Sequence, residues 1–527
     1  MNNESPSKNQ ILGTIITSSD SPTYRKFEFV VTRNDSDILI KKDTHVEVDT
    51  EQGKVIAVIE ELKKTNRYFQ RAEAVATYES AGMKLSQIFP VDSWEFLIAS
   101  AQPLGLFTSE EGRFERVRFV VSPGLKVKRA EKRTLQKLLG LENETGLHIG
   151  SLIPSGIPVR LNLSRTFQKH VAILAMTGTG KSYLCSVLIE ELLCRRKEEG
   201  RVGVIIIDVH SEYSHLEQQS EGTFEDLSAK VKVHKSPFFQ IGVPLLGAYG
   251  LAAYIPEMSQ IQRRDLARII EQLRRKTQAV GTPYGLKEII EAVEKDSTLH
   301  QRTKEALLGW LFSLDTTGLF SYSENPKIPK IVQPGVASII DLSETLSLRQ
   351  KQVIVLYLLK RLFDLRKMER IPPFIVFLEE AHQFCPQARL TQSISRPIIE
   401  TIAREGRKFN ASLCLISQRP VRLSPTVISQ CATHIILRIT NPYDLDFIKQ
   451  TSEGIDRHTI DSITNLAVGE ALIVGNAINF PIFTKIRARR TAPPRSSVPI
   501  EVVAKKFEEP PSPDESPTKL NKVIKWS

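Results

Sequence analysis

Eight consecutive residues, Ala175-Met-Thr-Gly-Thr-Gly-Lys-Ser182, carry the clearest chemistry in the chain. An apolar run, His170-Val-Ala-Ile-Leu174, leads into them, and a helix-forming run, Tyr183 to Leu193, leads away. Strand, glycine-rich turn and helix in that order make a cradle for a nucleoside triphosphate. The glycines let backbone N–H groups curl around the phosphates, Lys181 reaches the β and γ oxygens, and Ser182 holds Mg²⁺ at the positive end of the helix. The binding residues are Ala175, Met176, Thr177, Gly178, Thr179, Gly180, Lys181, Ser182 and Tyr183, and the ligand is ATP or GTP. Ala175 stands where the pattern has its first glycine, and a small residue there still permits close packing.

The second half of such a site is a source of carboxylates. Phe374-Ile-Val-Phe-Leu378 is an apolar strand that delivers Glu379 and Glu380 at its carboxyl end, where ligands bind in open α/β sheets. Glu379 is assigned to the water shell of Mg²⁺ and Glu380 to polarising the attacking water. Asp208 closes the strand Val204–Ile207 and begins D-V-H-S-E-Y; it either orients water or metal or caps the following turn. Gln418 ends the strand Leu413–Ser417, where an amide can sense the γ-phosphate or simply form a turn. Arg404 and Arg407 lie three apart on one helix face within A-R-E-G-R-K-F; they are solvated, or in a ring they reach a neighbouring subunit's ATP.

These residues need a scaffold, and 527 residues exceed one ordinary core, so two or three domains are expected. Residues 1–105 hold short strand-like runs, at Ile11–Ile16, Lys26–Thr32, Ile38–Ile40, His45–Val48 and Lys54–Ile59, which suggests a small all-β barrel. A basic connector, 106–147, carries Lys126, Lys128, Arg129, Lys132, Arg133 and Lys137 around a helix. From 148 to 490 strands alternate with helices, the pattern of a largely parallel α/β sheet. Its strands fall at Val171–Leu174, Val204–Ile207, Ala337–Asp341, Phe374–Leu378, Leu413–Ser417 and His434–Leu437. Amphipathic runs at Gln260–Arg275, Leu286–Glu294 and Gln301–Phe312 mark a helical insertion at about 215–330. The tail, 491–527, is rich in Pro, Lys, Glu and Ser and reads as mostly extended or disordered.

Composition narrows the class of partner. Lys and Arg number 71 against 60 acids, a net charge of +11, which biases the choice toward nucleic acid or another polyanion; a basic proteome or a charge-rich thermophilic surface is the alternative. Cys185, Cys194, Cys385, Cys414 and Cys431 lie scattered without paired spacing, as expected of reduced cytoplasmic thiols, and no zinc-ligand spacing occurs. No apolar run approaches bilayer-spanning length and the polar start M-N-N-E-S-P-S-K is no signal peptide, so no membrane role is expected.

Read together, A-M-T-G-T-G-K-S, I-I-D-V-H-S-E-Y, F-L-E-E-A-H, I-A-R-E-G-R-K-F, S-Q-R-P and G-E-A-L-I-V-G resemble, in that order, the HerA family of the HerA and FtsK division of ring ATPases. The resemblance implies a RecA-like P-loop motor with a helical insertion, preceded by a barrel like that of ATP synthase subunits. It implies a homo-hexamer that threads double-stranded DNA through its channel at the expense of ATP and Mg²⁺, and a NurA-type nuclease as partner in DNA-end resection. Lys181, Ser182, Glu379 and Glu380 would then form the cis site, and Arg404, or else Arg407, would act in trans. Family members place an arginine just before the phosphate-loop strand to contact a neighbouring nucleotide, and this chain has Lys169 there. Loops at 384–395 and 419–425, with Arg389, Arg396, Arg419 and Arg422, are the expected contacts to the DNA backbone. A ring scaffold or motor for a defence nuclease, and a conjugation or secretion ATPase, are the alternatives.

Overall fold

The computed structural model describes residues 11–494 apart from 19, 33–39, 67–68, 70–71, 81–94, 109–112, 143, 220–222, 281–282, 346, 389–391, 453 and 456, together with 500–501 and 504–505. Seven strands build the first sheet: β1 (Ile11–Ile16), β2 (Phe27–Val31), β3 (His45–Thr50), β4 (Gly53–Asn66), β5 (Glu95–Thr108), β6 (Arg113–Glu115) and β7 (Lys126–Arg129). Their order, β2-β1-β7-β3-β4-β5, closes on itself through β2–β5 pairing, and β6 hangs on β5. Six strands therefore form a closed all-β barrel with no free edge between them. Alternation explains it: Phe27, Phe29, Val46, Val48, Val55, Ala57, Ile59 and Val127 point inward to one small apolar core.

This sheet corrects the reading of 106–147 as a connector. Lys126–Arg129 is a strand paired with β1 on one side and β3 on the other, and Val127 is its inward residue. The lysines point outward, Lys126 to the Thr14 hydroxyl at 2.9 Å and Lys128 to Asp49 at 2.7 Å. The basic run masked a period-two pattern that contains a single apolar residue. Helix α1 (Lys132–Leu139) follows; it buries Leu135, Leu138 and Leu139 and exposes Lys132, Arg133 and Lys137. Gly140, at φ 71°, ends it in the left-handed conformation that glycine adopts most readily. Of the expected Ile38–Ile40 strand, residues 38–39 lie outside the described residues and Ile40 is a buried loop residue.

The second sheet has eleven strands: β8 (Leu147–Leu152), β9 (Pro158–Leu161), β10 (Val171–Leu174), β11 (Gly203–Asp208), β12 (Val231–Lys235), β15 (Ala337–Asp341), β16 (Phe374–Leu378), β17 (Ala411–Ser417), β18 (Thr433–Ile436), β19 (Glu470–Gly475) and β20 (Ile482–Ile486). Two residue pairs, β13 (Ile241–Gly242) and β14 (Phe320–Ser321), make a separate small pairing. The order is β12-β15-β11-β16-β17-β10-β18-β19-β20-β8-β9. It runs parallel from β12 to β18 and antiparallel beyond. The central strands are buried along their whole length, as parallel strands covered on both faces must be. Helix α2 (Lys181–Cys194) covers one face; α6 (Leu348–Lys367) and α7 (Arg396–Phe409) cover the other.

The insertion holds α3 (Gln260–Val280), α4 (Leu286–Lys295) and α5 (Gln301–Asp315), whose apolar faces join the core on the α6 side. It is not helical from 215, because Val231–Lys235 is the edge strand of the large sheet, parallel to β15. Five residues with one buried valine gave too short an alternation to read as a strand. A cleft of about 870 Å³ lies between the barrel and the start of β20, with Arg25, His45, Arg116 and Phe480 among its lining and no residue of the phosphate loop.

Candidate nucleotide site

Parallel pairing puts the carboxyl ends of β10, β11, β16 and β17 along one edge, with Leu174 opposite Ser417, Leu378 opposite Leu415, and Ile207 opposite Leu378. The chain leaves β10 through the glycine-rich turn. Gly178 and Gly180 have φ of 78° and 101°, a region closed to most side chains, which is why glycine is required at both. Ala175 is fully buried, its N–H donating to the Ser417 carbonyl, and the Met176 N–H donates to the Arg438 carbonyl. The Thr179 hydroxyl donates to the Met176 carbonyl at 2.8 Å and braces the turn.

Lys181 Nζ lies 2.9 Å from Glu380 Oε1 and 3.5 Å from Glu379 Oε1, with all three side chains at most 7% exposed. Burial opposes the ammonium charge, but Glu379, Glu380 and Glu212 together hold the Lys181 pKa above that of a free lysine. Gln418 Nε2 donates to Glu380 Oε1 at 2.6 Å, and Gln418 Oε1 accepts from the Thr177 hydroxyl at 2.5 Å. The other oxygen, Glu380 Oε2, lies 3.2 Å from His382 Nδ1, which also stands 3.2 Å from Ser417 Oγ. Glu380 itself has φ 46°, a left-handed turn that swings its side chain back over the strand end.

Glu379 is fully buried. Its Oε2 accepts from the Val209 N–H at 3.1 Å, while Oε1 has no hydrogen-bond partner among the described residues. Burial, with the neighbouring charges of Asp208 and Glu212, pushes its carboxyl up to about 9 against the pull of Lys181. Asp208 is a capping residue: its two oxygens accept from the backbone N–H groups of His210, Glu212 and Tyr213 at 2.9–3.2 Å. Of the two roles open to it from sequence, holding the turn is the one these bonds describe. That turn carries Glu212, whose carboxylate accepts the Ser182 hydroxyl. Glu212 is the residue that sequence reasoning missed, although it stands within D-V-H-S-E-Y; its distance in sequence from Ser182 concealed the contact. His382 was passed over likewise within F-L-E-E-A-H.

Ser182 Oγ and Glu379, whose Oε1 accepts no hydrogen bond among the described residues, are hard oxygen donors of the kind that Mg²⁺ takes. No cluster of three or more His, Cys, Asp or Glu among the described residues makes a cage for a metal by itself. Mg²⁺ commonly sits in such places with its remaining ligands from phosphate and water.

Other expected site residues lie elsewhere. Lys169 sits before the amino end of β10, opposite to the phosphate loop, so it is no part of this chain's own cradle. Arg404 and Arg407 are exposed on α7, and Arg404 Nη2 lies 3.3 Å from Glu400. Gly406 between them is needed for contact, since a Cβ there would stand 2.3 Å from the Ala411 carbonyl oxygen. Arg396 is the first residue of α7 and is paired with Glu400 at 2.7 Å, which ties it back to its own helix. Arg419 and Arg422 are exposed, and Arg389 lies outside the described residues. The two loops that carry these arginines are joined, with Gln387 N–H donating to the Arg422 carbonyl and Ser424 N–H to that of Cys385. All five cysteines are free thiols, and four are buried. Among the described residues no helix is long and apolar enough to cross a membrane.

A family model described as the central domain of helicase HerA matches residues 147–362. The chain is 30% identical over 406 residues to a Methanocaldococcus jannaschii protein named probable DNA double-strand break repair helicase HerA, spanning 65% of this chain and 76% of that one. It is 28% identical over 449 residues to the Pyrococcus furiosus DNA double-strand break repair helicase HerA, spanning 74% of this chain and 78% of that one. Among solved structures it is similar to VirB4 of Thermoanaerobacter pseudethanolicus, at 16% identity and a TM-score of 0.48, over 66% of this chain and 98% of that one.

Proposed function

The chain belongs to the HerA helicase family, and from that premise we propose that it is an ATP-driven translocase on double-stranded DNA. It works as a homo-hexamer with a NurA-type nuclease in DNA-end resection and repair. The observation that carries this reading is the meeting of Lys181, Glu380 and Gln418 at one strand edge, where the end of a triphosphate held by the glycine turn must lie.

Lys181 and Gln418 both donate to the same oxygen of Glu380. An arriving γ-phosphate offers Lys181 a stronger anion and gives the Gln418 amide an acceptor, so both turn away from Glu380. The carboxylate is then left beside the phosphate with His382 as its remaining partner, free to orient and deprotonate the attacking water. Mg²⁺ would be held by Ser182, whose hydroxyl donates to Glu212, and, through water, by Glu379, whose Oε1 accepts no hydrogen bond among the described residues, and would supply neutralisation of the phosphate charge.

Gln418 is the joint between chemistry and movement. It is followed by Arg419, whose N–H donates to Ser417 Oγ at 3.1 Å, and by the turn Pro420–Arg422 that is bonded to the 384–388 loop. A shift of Gln418 toward phosphate moves this joined pair of loops, with Arg419 and Arg422 touching the DNA backbone. Arg404, or else Arg407, reaches from α7 to the adjoining subunit's nucleotide.

The test is ATP hydrolysis by the purified protein with and without linear double-stranded DNA, beside Lys181→Ala and Glu380→Gln. Stimulation by DNA that both substitutions abolish, weakening steeply with added salt, is the expected result. Hydrolysis indifferent to DNA in the presence of the nuclease would overturn the translocase reading.

A further inference from the structure

We propose that Tyr183 and Arg489 form the platform on which the purine base of the nucleotide stacks. The inference rests on the phosphate loop holding a triphosphate. Its γ end is fixed by Lys181, Glu380 and Gln418, so the α-phosphate falls at the N–H groups of the first turn of α2 and the nucleoside leaves past Ser182 and Tyr183.

At that exit lies an arrangement the fold does not otherwise explain. Tyr183 is 38% exposed, a large ring open to solvent on the first turn of the helix. The segment after β20 runs back across α2 as a strap, held there by Glu190 and Glu191 of that helix. Glu190 Oε1 accepts from the N–H groups of Arg490 and Thr491 at 2.9 Å and from the Thr491 hydroxyl at 2.8 Å. Arg487 pairs with Glu190 and Glu191 at 2.8 Å, and Arg490 pairs with Glu191 and Glu225.

Between these two arginines stands Arg489, which the strap treats differently. Its N–H donates to Tyr183 Oη at 2.8 Å, and its guanidinium carbon lies 5.7 Å from the centre of the Tyr183 ring. Among the described residues it makes no ion pair, and its Nη2 is buried without a hydrogen-bond partner. A buried N–H without an acceptor is costly, and among the described residues only the backbone N–H of Arg489, not its guanidinium, is hydrogen-bonded. A purine supplies what is missing: a flat π-surface for the tyrosine and guanidinium faces, and ring acceptors for the free N–H groups.

Calorimetric titration of the full-length protein with Mg-ATP and with Mg-tripolyphosphate, which has the phosphates and no base, separates this role from support of the phosphate loop. Stacking on one such face is worth roughly a 5- to 150-fold change in affinity. Tyr183→Leu and Arg489→Ala are each expected to weaken ATP at least about ten-fold in that range while tripolyphosphate binds as to the parent. Arg489→Lys, which keeps the charge and loses the plane, is expected to weaken ATP nearly as much. Unchanged ATP affinity in both truncations overturns the proposal, as does an equal loss for both ligands. Among the described residues Arg489 has no side-chain hydrogen bond to lose, so its variants keep the question decidable even where Tyr183→Leu fails to fold. Should the parent bind neither ligand, or Lys181→Ala bind both as the parent does, the phosphate-loop reading itself falls, a result distinct from loss of ATP alone.

Discussion

Glu380→Gln is expected to bind ATP more tightly than the parent while hydrolysing it far more slowly. Lys181 is held by Glu380 at 2.9 Å with both side chains nearly buried, and the γ-phosphate of ATP competes with that carboxylate for the lysine. At an effective dielectric constant of about 20 the direct attraction at this distance is about 6 kcal/mol. Glutamine removes the charge, but Glu379 still attracts the lysine from 3.5 Å, and the partners regain solvation as the pair opens. About 2 kcal/mol of net release remains, near the low end of couplings measured for close charge pairs, and it corresponds to roughly 30-fold in the dissociation constant. Loss of the general base lowers kcat by roughly 10²- to 10⁴-fold. Titration with a fluorescent ATP analogue, beside single-turnover hydrolysis, measures both quantities. An unchanged or weaker affinity in Glu380→Gln, with turnover lost, would refute the idea that the lysine is latched by this carboxylate.

The strap is testable by acid. Burial pushes the Glu190 carboxyl up, but hydrogen bonds from Thr491, Arg490 and Arg487 outweigh it and hold the pKa below the usual carboxylate value, so its stabilisation is present above about pH 4.5 and lost as pH falls through the folded value. Glu190→Ala is expected to cost about 3–5 kcal/mol at neutral pH, read as a lowered denaturant midpoint, and to flatten the acid dependence of that midpoint. His45, His170 and His434 are each pushed down to about 4 by burial, so the unfolded chain binds more protons than the folded one between pH 4 and 6.5. Each then withdraws up to roughly 3 kcal/mol as pH falls through that window. His434→Leu is expected to reduce the slope of stability against pH there, with circular dichroism in urea as the measure. Gly406→Ala forces a Cβ to within 2.3 Å of the Ala411 carbonyl and is expected to cost about 1–3 kcal/mol by parting α7 from β17, seen as a lower melting temperature.

Much of the larger sheet was legible because its strands are buried on both faces and so read as unbroken apolar runs between turns. Val171–Leu174, Ala337–Asp341 and Phe374–Leu378 fall at the residues expected from sequence. Strands with one wet face were harder. β5 spans fourteen residues with Pro103 and Gly105 inside it, β7 carries three basic residues in four, and β12 exposes Lys232 and Lys235, so none shows the pattern that its place in a sheet would suggest. Lys126–Arg129 shows why a charged run does not by itself argue for a linker: in a barrel strand every second side chain faces water.

The sequence by itself determined the phosphate turn, because glycine at 178 and 180 followed by Lys181 and Ser182 is a local geometry that needs no distant partner. It also determined that Glu379, Glu380 and Gln418 stand at strand ends, since hydrophobic runs stop there. Which side chain meets which was decided only by the order of strands in the sheet. That order sets β17 between β16 and β10 and so brings Glu380 and Gln418 to the site of Lys181, 199 and 237 positions away in the chain. It brings Glu212 to Ser182 and returns Arg489 to Tyr183 across 306 positions. Contacts of that span leave no periodicity in the sequence, because they depend on where the chain comes back and not on how it leaves.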